Sequence, residues 1–214
     1  MAALESKYKI MIIGISGVAR SGKDTLANNF VNIFKNLGIK AKRYAFADEL
    51  KREVRPFLKN KTGLDSFTQE DEQKKMIRPF LVAYGTHIRR ALNADCWINT
   101  LSSLLKENEI AIISDVRYKN EADWIKKNGF LIHIARIDKE NNLIKPANEE
   151  ERENDPVLQA QANLSYVWQT VEEREDEDNP FSLFQYSWAI FEQCFDSEEI
   201  TQWQTTHPLS KKSK

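Results

Sequence analysis

Gly17-Val18-Ala19-Arg20-Ser21-Gly22-Lys23-Asp24-Thr25 is the stretch whose residue types and spacing suit chemistry. Two glycines with four residues between them, the second followed at once by a lysine, let the backbone turn so that successive N–H groups point inward. A helix starting near Lys23 adds its positive N-terminal end. Such a cradle binds polyphosphate oxygens, and the lysine would lie over the β- and γ-phosphates. The residue after Lys23 is Asp24, so the hydroxyl of Thr25 comes one position late. A glycine-rich turn between strand and helix can also be mere punctuation. Against that stand the apolar run Ile10–Ile15 before the loop and the helical spacing of Leu26, Ala27, Phe30, Val31, Ile33 and Phe34 after it.

The order Gly-Lys-x-Thr is similar to that of small-molecule and nucleoside monophosphate kinases such as adenylate kinase, which points to phosphoryl transfer to a small acceptor. That reaction asks a protein to position two polyanions and neutralise charge on the equatorial oxygens. Several cations are therefore needed, and Lys23, Arg78, Arg90, Arg117 and Arg136 are candidates. Arg117 follows a buried-looking run, Ile110 to Val116, two residues after Asp115, where a carboxylate near Mg²⁺ is expected. Arg89 and Arg90 suit surface ion pairs equally well, Arg136 can merely flank a lid, and Trp97 suits either a stacked base or the core. His87, His133 and His207 form no constellation.

These residues need elements to place them. The apolar run is expected as a buried strand feeding the loop, followed by a helix to about Leu37 that stops at Gly38. Strand Ala41 to Phe46 comes next, so that a right-handed parallel unit brings its end to the loop's edge. A helix starting at Ala47 follows, with Asp48 as its cap and Lys51 and Arg52 facing that edge. Asn60 to Asp71 reads as a surface loop. Glu72 to Leu92 reads as a long helix with Met76, Phe80, Leu81, Tyr84 and Ile88 buried, and Gly85 within it permits close approach of a ligand or neighbouring backbone. A helix over Asp95 to Lys106 carries Trp97. Then come strand Ile110 to Arg117, helix Asn120 to Lys127 and strand Phe130 to Ile134. From 138 to 180 the character changes: acidic runs Glu149–Asp155 and Glu172–Asp178 flank Val157 to Val171, which is expected as one helix. This is a lid over the nucleotide or a solvated excursion. Phe184 to Ile190 alternates like a half-buried strand, a short helix spans Glu198 to Trp203, and 208–214 reads as a disordered basic tail.

The chain has 214 residues and a net charge of -1, which suits one kinase domain over 1–214 with 138–180 as an insert. Nothing in that charge favours nucleic acid or a membrane surface. Cys96 and Cys194 are not spaced for zinc and read as reduced thiols. No apolar run has the length of a membrane span and Met1 to Lys9 lacks a leader's apolar region. The expected location is cytoplasmic, in the host's cytoplasm if the protein is phage-encoded.

Taken together, Ser16 to Thr25, Ala47 to Lys51, Arg78, Gly85-Thr86, Trp97 and Asp115-Val116-Arg117 with Glu121 resemble the phage-type deoxynucleoside monophosphate kinases. They follow that family's order across Ile13 to Arg136. The resemblance implies an α/β fold with a parallel-sheet core like that of adenylate kinase and helices on both faces. It implies transfer of the ATP γ-phosphate to a deoxynucleoside monophosphate with Mg²⁺. By position, Gly17, Val18, Ala19, Arg20, Ser21, Gly22, Lys23, Asp24, Thr25 and Arg136 would hold ATP. Asp48, Lys51, Arg78, Gly85, Thr86, Arg90, Trp97 and Arg117 would hold the acceptor. Lys23, Arg117 and Asp115 would carry catalysis, with Thr25 and Asp115 near the metal through water. Related kinases can be dimers. Two other readings stay open: a kinase of another small acceptor, of the phosphomevalonate or dephospho-coenzyme A type, and a nucleotide-binding regulator without an acceptor.

Overall fold

The computed structural model describes residues 11–169 and 183–209. The chain forms two compact units, one of Met1–Tyr44 with Leu105–Lys214 and one of Ala45–Leu104.

The larger unit is built on a five-stranded sheet: β1 (Ile12–Ser16), β2 (Ala41–Tyr44), β3 (Ile110–Val116), β4 (Gly129–Ile137) and β5 (Leu164–Gln169). Its order is β2-β3-β1-β4-β5 and every pairing is parallel. Covered parallel strands are apolar throughout, as Ile12, Ile13 and Ile15 in β1 and Ile110 to Ile113 in β3 are, all at 2% exposure or less. Helices α1 (Lys23–Asn36), α5 (Lys119–Asn128), α6 (Glu149–Gln161), α7 (Leu183–Cys194) and α8 (Ser197–Thr206) complete the unit.

Alternate residues of β1 show that helices cover both faces. Ile13 and Ile15 join Leu26, Phe30, Phe34, Phe191, Phe195 and Trp203 in one cluster. Its rings meet edge to face, Phe30 on Phe191 at 5.6 Å and Phe195 on Trp203 at 5.0 Å. Gly14 points the other way: a Cβ there would come within 2.5 Å of Ile125 Cδ1, so α5 lies directly on the strand. The expected α/β class is thus the observed one.

Several local expectations are corrected. The alternation over Phe184–Ile190 belongs to helix α7, because the longer spacing Ser187, Ile190, Phe191 and Cys194 turns one side inward. Val157 to Val171 is not one helix: α6 ends at Gln161, and the period-two run Leu164, Tyr166, Trp168 packs inward as β5. The stretch expected as an insert thus contributes a helix and a sheet strand, while 170–182, with the second acidic run, lies outside the described residues. Of the expected tail, Leu209 N–H donates to the Gly38 carbonyl and Pro208 pairs with Ile39. Residues 210–214 lie outside the described residues.

The smaller unit contains α2 (Phe46–Thr62), α3 (Asp71–Val82), a π-helical segment (Ala83–Arg90) and α4 (Cys96–Ser102). Strand β2 stops at Tyr44 and Phe46 already opens α2. The N-cap of α2 is Ala45 with no side-chain bond, so Asp48 lies inside the first turn. Helix α2 runs on to Thr62 and shortens the expected loop. The buried face differs from the expected one: Ile77 of α3 is buried, whereas Met76 of α3 and Ile88 of the π-helical segment are 68% and 50% exposed. The π turns over Ala83–Arg90 shift which residues share a face there, so a strict 3.6-residue count does not hold for Ile88.

Candidate functional site

The glycine-rich loop leaves the C-terminal end of β1, the middle strand, between β3 and β4. The chain turns to opposite sides of β1 there, from β1 to β2 and from β3 to β4. Such a reversal opens a crevice at the strand ends. Three loop residues have positive φ: Gly17 at 138°, Arg20 at 67° and Gly22 at 90°. Two glycines are required by space as well as by φ. A Cβ on Gly17 would lie 2.1 Å from the Ile134 carbonyl oxygen, and one on Gly22 would lie 2.2 Å from the Trp168 ring. Gly22 caps α1 without a side-chain bond, so the first N–H groups of α1 have no cap from it.

Lys23 is buried at 8% exposure, and its Nζ donates to the carbonyls of Gly17 at 2.8 Å and Val18 at 2.7 Å. Its pKa is pushed down to about 8, chiefly by burial and then by the neighbouring Arg117 charge, while Glu151, Asp24 and Asp115 oppose. Ser21 is fully buried and its hydroxyl has no hydrogen-bond partner among the described residues.

An anion already sits on this loop. Glu151, in the first turn of α6, is 8% exposed. Its Oε2 accepts the Ala19 N–H at 3.1 Å and the Ala147 N–H at 3.0 Å, and its Oε1 accepts from Arg117 Nη1 at 3.1 Å. Burial works against the charged form. The two backbone donors, Arg117 and Lys23 outweigh it and hold the carboxyl below the usual range.

Arg117 follows β3 and is positioned from behind: buried Glu121 accepts the N–H groups of Arg117 at 2.8 Å and Tyr118 at 3.1 Å. Asp115 is half-buried near the end of β3. Gly14 pairs with Ile113 and Ser16 with Val116, so two steps of β1 face three of β3. This bulge contains Ser114 and Asp115, and a bulge re-aims side chains at a strand end. Ser114 uses the turn to donate to Asp24 Oδ1 at 2.8 Å, and Arg43 Nη2 donates to the same oxygen at 2.7 Å. Asp24 thus faces β2 and β3. Partial burial resists its charge, but the Ser114 and Arg43 bonds hold its pKa below normal. Thr25 is half-buried in the first turn of α1, and Arg136 Nη1 reaches the Arg20 carbonyl at 3.4 Å.

Lys23, Asp24, Thr25, Asp115, Arg117 and Arg136 therefore all belong to the sheet unit, around or just behind the loop. Asp48, Lys51, Arg78, Gly85, Thr86, Arg90 and Trp97 belong to the smaller unit. There Lys51 Nζ lies 3.9 Å from Asp48 and 5.4 Å above the Phe67 ring. Trp97 is 2% exposed, its indole N–H donates to the Gly85 carbonyl at 3.3 Å, and Arg89 lies over its ring. Buried in this way it packs as core. A Cβ on Gly85 would come within 2.7 Å of Leu50 Cδ2, so the close approach there is made by α2. Arg78 is exposed; Thr86 and Arg90 are half-buried.

Sequence reasoning missed Glu151, Trp168, Ser114 and Arg43. Trp168 had a usable signal, the alternation Leu164-Tyr166-Trp168. Glu151 had none, because it stands in a run of acids like any solvated face.

Among the described residues no helix is long and apolar enough to cross a membrane, and no group of three His, Cys, Asp or Glu is set to hold a metal. Cys96 and Cys194 are not disulfide-bonded, and burial pushes the Cys194 thiol up to about 12.

The sequence matches no protein-family model and no curated protein. The structure is similar to that of shikimate kinase from Aquifex aeolicus vf5 (15% identity, TM-score 0.44, covering 86% of this chain and 97% of that one). It is also similar to shikimate kinase from Acinetobacter baumannii (12%, 0.40, 87% and 93%). A third similar structure is the APS kinase CysC of Mycobacterium tuberculosis (13%, 0.36, 86% and 96%). Likeness at this level assigns neither activity nor substrate, and the α/β fold rests on the sheet's own order and pairing.

Proposed function

We propose that the protein is an ATP-dependent kinase of a small phosphorylated acceptor, and specifically that it phosphorylates a deoxynucleoside monophosphate. The observation that supports the phosphate-binding part most directly is the carboxylate of Glu151 held by the Ala19 N–H, Arg117 and, at longer range, Lys23. A loop that stabilises one anion with a backbone donor and two cations has the donor set for phosphate oxygens. The buried Ser21 hydroxyl and the cradle held open by Gly17 and Gly22 fit the same group.

In this reading the loop N–H groups and the N-terminal end of α1 orient the ATP phosphates, and Lys23 turns from the loop carbonyls to the transferring phosphoryl group. Arg117 offers paired N–H donors to the acceptor's phosphate, and Arg136 flanks the nucleotide. Mg²⁺ would supply charge neutralisation at the phosphates. Thr25 and Asp115 are the residues proposed to reach its water shell. Asp48, Lys51, Arg78, Thr86 and Arg90 are proposed as acceptor-binding on the resemblance alone, with Gly85 and the buried Trp97 shaping the helices that carry them.

The test is an acceptor panel of all deoxy- and ribonucleoside monophosphates with ATP and Mg²⁺, read as ADP formed. ADP formation that depends on a deoxynucleoside monophosphate is expected. Turnover that depends only on an unrelated acceptor removes the specific reading, and acceptor-independent hydrolysis removes the kinase reading.

A further inference from the structure

We infer that Glu151 is a built-in competitor for the nucleotide: its carboxylate occupies the phosphate position on the loop, and a phosphate group must exchange with it to bind. The inference rests on the loop being the nucleotide site and adds how access to that site is controlled.

The Ala19 N–H is a donor of the glycine-rich loop, and a backbone donor used by one carboxylate oxygen at 3.1 Å is not offered equally to a phosphate oxygen. Arg117 is engaged in the same way through Oε1 at 3.1 Å. A phosphate arriving at these donors would also stand beside a buried negative charge, which like-charge repulsion opposes. The engaged Ala19 donor and the local charge thus count against nucleotide binding until Glu151 withdraws, and Arg117 is withheld from the acceptor's phosphate until then.

Exchange is mechanically simple. Helix α6 is fastened along its length by Asp155 against buried His133 at 3.1 Å, by buried Leu158 and by Gln161 on Asp123 at 3.0 Å. The Glu151 N–H is held by the N-cap Asn148 at 2.8 Å. Only the Glu151 side chain needs to turn. Oε2 also accepts the Ala147 N–H, so the same oxygen that blocks the loop fastens the segment before α6. Its withdrawal therefore frees residue 147 when the loop fills, and occupancy of the loop is reported to the entrance of α6.

Binding of ATP and of inorganic tripolyphosphate is measured by calorimetry on the full chain, without acceptor, for the wild type, Glu151→Gln, Glu151→Ala and, as a control, Glu153→Gln. Glu153 is an exposed acid of the same helix. The expected result is binding tighter by about tenfold or more for both Glu151 variants, with Glu153→Gln unchanged. In the wild type, saturating ATP should accelerate hydrogen exchange at Ala147. Equal or weaker affinity in folded Glu151 variants overturns the gate, as does equal tightening by Glu153→Gln, which marks a net-charge effect. If neither wild type nor variants bind either ligand, the nucleotide reading falls and the gate with it. If Glu151→Ala fails to fold, Glu151→Gln, which keeps shape and an acceptor oxygen, decides alone.

Discussion

The Trp168 indole N–H donates to the carbonyl oxygen of Ser21 at 2.6 Å, and the same ring fills the space where a side chain on Gly22 would stand. Strand β5 is at the sheet edge, yet its buried Trp168 holds the loop from that side. Replacing Trp168 by Phe keeps most of the apolar contact and removes the donor, leaving a buried carbonyl unsatisfied. The expected loss is about 1–3 kcal/mol, read as a lowered urea midpoint, with weaker ATP binding because the loop is no longer held from behind. An unchanged midpoint would separate Trp168 from the loop.

Lys23→Met should nearly abolish transfer while leaving the fold intact, since the ammonium contributes where charge develops on the transferring group. Stability should respond in an unusual direction. The folded pKa is about 8 against 10.5 for the ordinary group. Below about pH 8 the protein bears the full cost of the buried charge. Between pH 8 and 10.5 the unfolded chain holds more proton than the folded one, so wild-type stability from this group rises with pH. The variant lacks that dependence. Its stability relative to wild type should fall by up to about 3 kcal/mol across that window, measured by denaturant unfolding at pH 7.5 and 10. A constant gap counts against the depressed pKa.

Arg117→Ala should damage acceptor use more than ATP binding. Losing a charge-assisted contact costs about 1.5–3 kcal/mol, on the order of tenfold or more in kcat/KM for the acceptor. Arg117→Lys should recover little, because a point charge cannot replace the paired donors. Glu121 holds the backbone at 117 and 118 in either variant, so the fold should survive. Unchanged acceptor kinetics at constant ATP would take Arg117 out of the site.

The sheet unit was largely legible in the sequence because its signals are local and redundant. Ile12 to Ser16 and Ile110 to Val116 are too apolar and too short to be anything but covered strands, and Gly17, Gly22 and Lys23 punctuate one of them. What stayed hidden depends on chain segments far apart in sequence. Glu151 meets Ala19 across 132 positions and Trp168 meets Ser21 across 147. Neither an acid among acids nor a tryptophan in a short apolar run announces its partner. Phe184 to Ile190 failed for a different reason: seven residues satisfy a two-residue period by accident, and only Phe191 and Cys194 reveal the helical one. Ser114 and Asp115 were placed at the right strand end, but the extra residue that aims them is a property of register, which β3 alone does not encode.

Asp24 and Thr25 divide the position where the loop departs from the strict pattern. Asp24 is turned to Ser114 and Arg43 and its side chain is 70% exposed. It also stands in the first turn of α1, where a negative charge interacts favourably with the helix end by about 0.3–1 kcal/mol. Asp24→Asn should therefore cost a little stability and leave ATP turnover within a few-fold of wild type. Thr25 is half-buried in the same turn and presents a hydroxyl that both donates and accepts. Thr25→Ala should reduce ATP turnover by a larger factor, and Thr25→Ser should restore most of it. A Mg²⁺ titration of both variants separates the roles. A raised metal requirement in Thr25→Ala alone is expected. If Asp24→Asn raises the requirement strongly while Thr25→Ala is nearly silent, the carboxylate acts on the metal and the assignment of the two residues is reversed.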